Sequence, residues 1–201
     1  LDDQDQVLVA FDYGPPESDE LNAAARPVMR HILQRGASLS LVSTRPDGSV
    51  VAEDLLADVA PSGDQYRLIG YRPGAALAAS QLLAATDEAP DLLVVLSGQP
   101  LPLLLWIEQA NAMVGDRLPV AAVGSAALEP LASPYLDLRA SQLDGAIFGY
   151  KGGASYEDIM GTSGDATRRL DSLAAGHVAI ILAMIGGAFV HALSGRREES
   201  A

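Results

Sequence analysis

The 201-residue sequence contains no cysteine. That excludes disulfides, thiolate nucleophiles and cysteine-ligated metals, and says nothing about compartment. Lysine is nearly missing as well. Lys151 stands alone among 13 basic residues, which face 26 acidic ones for a net charge of −13. Such a surface repels phosphate backbones, so no nucleic-acid partner is expected. The histidines, His31, His177 and His191, lie too far apart in sequence to suggest a metal site, and no metal is expected. The patterns GxGxxG, GxxxxGK[ST], HExxH and GxSxG do not occur. Hence no cofactor is expected, and no histidine falls beside a strand end where it would serve a nucleophile.

Charge is scarce overall. Charged residues make up 19% of the chain, below the roughly one quarter typical of soluble domains, while 49% is hydrophobic. The mean hydropathy is +0.18. Both values lean toward membrane association. The widest gap in charge is the 21-residue run Leu173–Leu193, interrupted only by His177 and His191. As a helix it would measure roughly 30 Å, the thickness of a bilayer's hydrocarbon core. A helix lying on a sheet carries a polar stripe toward water. Val178 to Val190 has none: every residue is apolar or glycine. The run is therefore expected to span a membrane. Within it Ala175, Ala179, Ala183 and Gly187 recur every four residues, along one helix face. Small residues so placed let a second helix approach closely.

What is present before that run is a repeating pattern of short apolar segments. They begin at Val7, Leu39, Arg67, Leu92, Val120 and Gly145, separated by 32, 28, 25, 28 and 25 residues. Each is too short for a helix and reads as a strand buried on both faces. Helical stretches lie between them. The first, from Glu17 to Gly36, opens on acidic residues and closes on glycine, with Pro27 expected to kink or divide it. The stretch from Ala127 to Gln142 is broken by Pro130 and Pro134. Strands alternating with helices at this spacing predict right-handed βαβ crossovers. The expected fold is α/β: a Rossmann-like layered, mostly parallel sheet of about six strands, followed by a C-terminal transmembrane helix. The corresponding division is 1–165 for the body, 166–195 for the span and 196–201 for a short charged tail.

In a parallel sheet, ligands gather at the C-terminal ends of the strands. The residues falling there are Asp12, Arg45, Arg72, Ser97, Ser125 and Lys151. Three of them are cations, and helix N-termini point to the same edge, so a small anion would find partners there. A lone Asp12 after the first strand is a weak candidate for general base. "GYRPGA" from Gly70 and "GYKGGA" from Gly149 echo one another, each after a strand and each supplying turn glycines.

The composition therefore leads to a membrane-anchored α/β domain that acts through contacts, as a structural or interaction subunit. Its partners would be the lipid bilayer and the helices of other membrane proteins or of further copies of itself. A second expectation, from a different class, is a module binding a small anionic metabolite at the strand ends; an enzyme using Asp12 ranks third. Arg168 and Arg169 precede the span, and Arg196 and Arg197 follow it, so basic residues do not decide orientation. A long acidic body can be translocated regardless of charge, and an opening on Leu1 leaves room for an upstream signal or first membrane helix. The body is thus expected outside the cytoplasm in a single-pass protein of the cell membrane.

Overall fold

A computed structural model describes residues 1–60, 65–84, 89–113, 118–137 and 142–198. The six predicted apolar segments form strands β1 (Gln6–Asp12), β2 (Ser38–Ser43), β3 (Tyr66–Tyr71), β4 (Leu92–Ser97), β5 (Val120–Gly124) and β6 (Gly145–Phe148). All pairings are parallel, in the order β3-β2-β1-β4-β5-β6. This is the order of a doubly wound, Rossmann-like sheet, which reverses direction between β1 and β4.

Alternate residues of each strand serve two separate cores. Val7, Val9 and Phe11 of β1 face a cluster with Leu21 and Met29, while Leu8 and Ala10 face another with Leu103 and Trp106. The helices explain why both faces must be apolar. On the first face lie α1 (Ser18–Gln34), α2 (Gly48–Val59) and α6 (Gly149–Ile159). On the second lie α3 (Ala76–Leu83), α4 (Pro100–Met113) and the short α5 (Glu129–Ala132). The expectation of strands buried on both faces fails at β3. As an edge strand it leaves Leu68 and Tyr71 more than one third exposed.

Three local expectations change or sharpen. Pro27 does not divide α1, which runs unbroken from Ser18 to Gln34 with Pro27 buried inside it. Packing of this helix against the sheet outweighs the one backbone hydrogen bond that proline cannot donate. Pro130 and Pro134 do fragment their segment, into α5 and flanking 3-10 turns at Ala126–Leu128 and Ser133–Leu136. The two glycine echoes are not equivalent. Gly70 and Tyr71 end strand β3, whereas Gly149 starts α6 with φ +58°.

The last helix, α7 (Asp165–Glu198), is continuous through the boundary expected at residue 196; residues 199–201 of the expected tail lie outside the described residues. Its attachment to the body is built from buried and charged contacts. Glu157 of α6, only 2% exposed, accepts hydrogen bonds from the backbone N–H groups of Gly164 (3.0 Å), Ala166 (3.2 Å) and Thr167 (2.9 Å), and from the Thr167 hydroxyl (2.6 Å). These are donors that a helix start leaves without intrahelical partners. Ala166 is fully buried, and a Cβ on Gly153 would lie 2.8 Å from its Cβ and 2.9 Å from Ala24 Cα. Arg26 pairs with Asp165, and Arg169 pairs with Asp19 in the first turn of α1.

The direction of α7 follows from these contacts. Its start lies beside Glu157 and Ala24, part-way down α6 and α1, and Arg169 reaches the top of α1. The helix therefore runs with the strands and leaves the body past their C-terminal ends. From Asp171 to Phe189 every residue is exposed.

Candidate functional site

Asp12 ends β1 at the point where strand order reverses, and its carboxylate is fully buried. Oδ1 accepts from the Thr44 backbone N–H (2.7 Å) and the Ser43 hydroxyl (3.0 Å). Oδ2 accepts from the Thr44 hydroxyl (2.7 Å) and from Trp106 Nε1 (2.6 Å). Four donors surround one carboxylate, tying β1 to the end of β2 and to α4 across the sheet. Trp106 is the only tryptophan of the chain. Its N–H finds this partner inside an otherwise apolar core, as a buried indole requires.

Ser97 sits beside this cluster at the end of β4. Its hydroxyl donates to the Gln99 carbonyl (2.9 Å) and accepts from the Gln99 N–H (3.2 Å). Ser125 donates to the Gly98 carbonyl at 3.4 Å. Ser97 thus shapes the turn after β4, and Ser125 links the end of β5 to that turn.

The three cations do not meet. Arg72 follows β3 and Lys151 lies in the first turn of α6 after β6, and these strands are the two edges of the sheet. Five inter-strand spacings of about 4.8 Å put them roughly 24 Å apart. Arg45 lies between them but is engaged by Asp47, with Nε–Oδ1 at 3.1 Å and Nη2–Oδ2 at 3.0 Å. That hydrogen-bonded pair holds the Asp47 carboxyl below its ordinary value and raises the Arg45 guanidinium. A single small anion cannot be gripped by all three.

Acidic side chains instead occupy the donors of this edge. Glu17 accepts from the Gly14 N–H (3.0 Å) and the Gln99 side-chain amide (3.1 Å). A Cβ on Gly98 would fall 2.5 Å from Glu17 Cγ, so the side chain lies tight in the crevice between β1 and β4. Glu20 accepts from the Ala126 N–H (3.0 Å), and Asp19 accepts from the Tyr150 hydroxyl (3.1 Å). The segment Glu17–Glu20 therefore fills with its own carboxylates the place where a Rossmann-like sheet receives phosphates. Its sequence shows acidic residues at a helix start, which dipole compensation alone accounts for. Nothing in it announces that they bridge to β4 and β5.

The remaining candidates lie on α7. Ala175, Ala179, Ala183 and Gly187 are all exposed, as are Ile180, Ile181, Leu182, Ile185 and Phe189, each at least 55%. Among the described residues one helical stretch is long and apolar enough to cross a membrane, Asp165–Phe189, and its apolar window is 0% buried. Also among the described residues, no group of three or more His, Asp and Glu is arranged to hold a metal ion.

A cavity of about 460 Å³ opens at the other end of the sheet between α1 and α6. Val94, Ala122 and Ile147 line it, with His31 and Tyr156 joined on its wall by a 2.6 Å hydrogen bond. Burial and the neighbouring Arg35 guanidinium lower the His31 pKa.

No family model matches the chain, and no curated protein matches it in sequence. Solved structures with a related layout include Staphylococcus aureus MnaA with UDP, at 12% identity and TM-score 0.46, covering 80% of this chain and 43% of that one. Levodione reductase aligns at 16% identity and TM-score 0.40, over 63% and 55% of the two chains. A Serratia marcescens short-chain dehydrogenase/reductase variant aligns at 14% and 0.43, over 72% and 65%. The chain thus spans less than two thirds of each of these proteins. Such scores assign neither family nor activity. The class defined by the chain's own sheet is a Rossmann-like α/β domain bearing one long, exposed apolar helix.

Proposed function

We propose that this protein is a membrane-anchored Rossmann-like domain that acts through contacts, as an accessory or structural subunit of a membrane assembly. The observation that carries this reading is α7. Its apolar stretch, Leu173 to Phe189, covers more than four turns and buries nothing against the body. An apolar patch of that extent in water marks an unfilled interface. The firm capping of α7 by Glu157 supports a helix held out for a purpose rather than an unpacked end. The strand-end crevice, filled by Glu17 and Glu20, favours contact over catalysis or capture of a free anionic metabolite.

We place the body outside the cytoplasm and the tail after Leu193 inside, since a long acidic domain crosses membranes largely irrespective of its charge. The partners in this reading are the bilayer and the apolar helices of other subunits or of further copies. Carbonate extraction of membranes from cells making residues 1–201 tests the anchor. Retention in the pellet is the expected result; release of monomer without detergent would sink the proposal.

A further inference from the structure

We infer that the C-terminal edge of the sheet is the face that rests on the bilayer, its exposed apolar side chains lying among lipid headgroups. This rests on the anchoring reading above and specifies which surface meets the membrane. The first observation is the course of α7. Arg169 pairs with Asp19 at the top of α1, and the uncharged run begins at Leu173. Four residues of helix advance about 6 Å. Because the junction is a capped helix rather than a loop, the apolar run enters lipid almost at once, and the strand ends are held at headgroup level.

The second observation is what that edge exposes. Tyr71 at the end of β3 is 44% exposed, Leu77 in the first turn of α3 64%, and Leu101 in the first turn of α4 65%. None belongs to α7, yet all three project from the edge past which α7 leaves. A tyrosine with leucines is the composition that settles at a membrane–water boundary.

Asp19 and Asp47 of this edge are paired with Arg169 and Arg45, while Glu17 and Glu20 accept hydrogen bonds from the Gln99 side-chain amide and the Ala126 N–H. Arg72 and Lys151 are exposed without an ion pair among the described residues, and the exposed carboxylates of this edge are Asp19, paired with Arg169, together with Glu129 and Asp171. The opposite edge carries Asp2, Asp3, Asp5, Asp91 and Asp144 ahead of the strands, with Arg35 and Arg67 among them. The separation of Arg72 and Lys151, roughly 24 Å by strand spacing and too wide for a small ligand, suits a planar surface.

The lack of cysteine makes a direct test simple, because each single-cysteine variant carries one label. Full-length chain is placed in nanodiscs of phosphatidylcholine and phosphatidylglycerol with a bimane label at one of three exposed positions: Leu101→Cys, Gln34→Cys or Ile181→Cys. Quenching is read with nitroxide lipids labelled at the headgroup or on the acyl chain. The expected pattern is Ile181 quenched from the acyl chain, Leu101 from the headgroup, and Gln34, at the far end of α1, from neither. If Ile181 is quenched but Leu101 no more than Gln34, the orientation is wrong and the anchor stands. If Ile181 escapes acyl-chain quenching, the anchor fails and this inference with it.

Discussion

At the residue scale, the most consequential single group is the Asp12 carboxylate. Its placement at the switch point of a parallel sheet is where a catalytic or ligand-binding acid would be sought. Its four donors instead make it a tie among β1, β2 and α4. The expected consequence is structural. Trp106→Phe removes one charge-assisted hydrogen bond and should cost about 1.5–3 kcal/mol in denaturant unfolding. Asp12→Asn leaves the shape intact but turns an amide toward buried donors, and should cost more. A stability loss for Trp106→Phe exceeding that for Asp12→Asn would refute the tie.

At the scale of elements, the α6–α7 junction decides how the long apolar helix relates to the body. Glu157 lies in a buried site that would raise its pKa. The Thr167 hydroxyl and the N–H groups of Thr167, Gly164 and Ala166 outweigh that burial and hold it below the ordinary glutamate value of 4.5. A depressed folded pKa means its contribution is complete above that ordinary value and is lost as pH falls through the folded one. Glu157→Gln should therefore lower stability by about 0.5–2 kcal/mol at neutral pH, the usual worth of a helix cap. It should also flatten the decline in melting temperature as pH falls below the ordinary glutamate value of 4.5. An unchanged acid profile in the variant would show that other carboxylates dominate.

Gly153 is the second test at this scale, because α1, α6 and α7 meet where it has no side chain. Gly153→Val should overpack the contact and cost about 1–3 kcal/mol. Faster hydrogen exchange in the first turns of α7 is the accompanying signature, and protection equal to wild type would show that the helices need not approach so closely.

At the scale of the whole molecule, the assembly proposed above would have to be driven by α7 itself. In lipid, apolar burial gives helices no reason to associate, so close packing must supply it. Ala175, Ala179, Ala183 and Gly187 offer one smooth, unoccupied face. Gly187→Ile keeps the helix apolar and should preserve insertion while weakening association. Ile185→Leu alters another face and should be tolerated. Cross-linking in membranes reads both, and equal assembly would leave α7 as an anchor only.

The strands, the alternation with helices and the apolar run of α7 were legible in the sequence because each rests on local patterning. A buried strand is a short apolar segment between turn residues, and a span is a count of uncharged residues. All six strand starts fall within one residue of the apolar segments. Tertiary structure alone decided strand order, and with it whether Arg45, Arg72 and Lys151 would meet; β3 and β6 at opposite edges keep them apart. It also decided that Glu17 and Glu20 reach β4 and β5, that Asp12 is spent on Trp106, 94 residues away in sequence, and that α7 leaves past the strand ends. The physical reason is common to all of these. Periodicity records how much of a residue is hidden, whereas partners and directions are set by chain segments brought together only when the sheet closes.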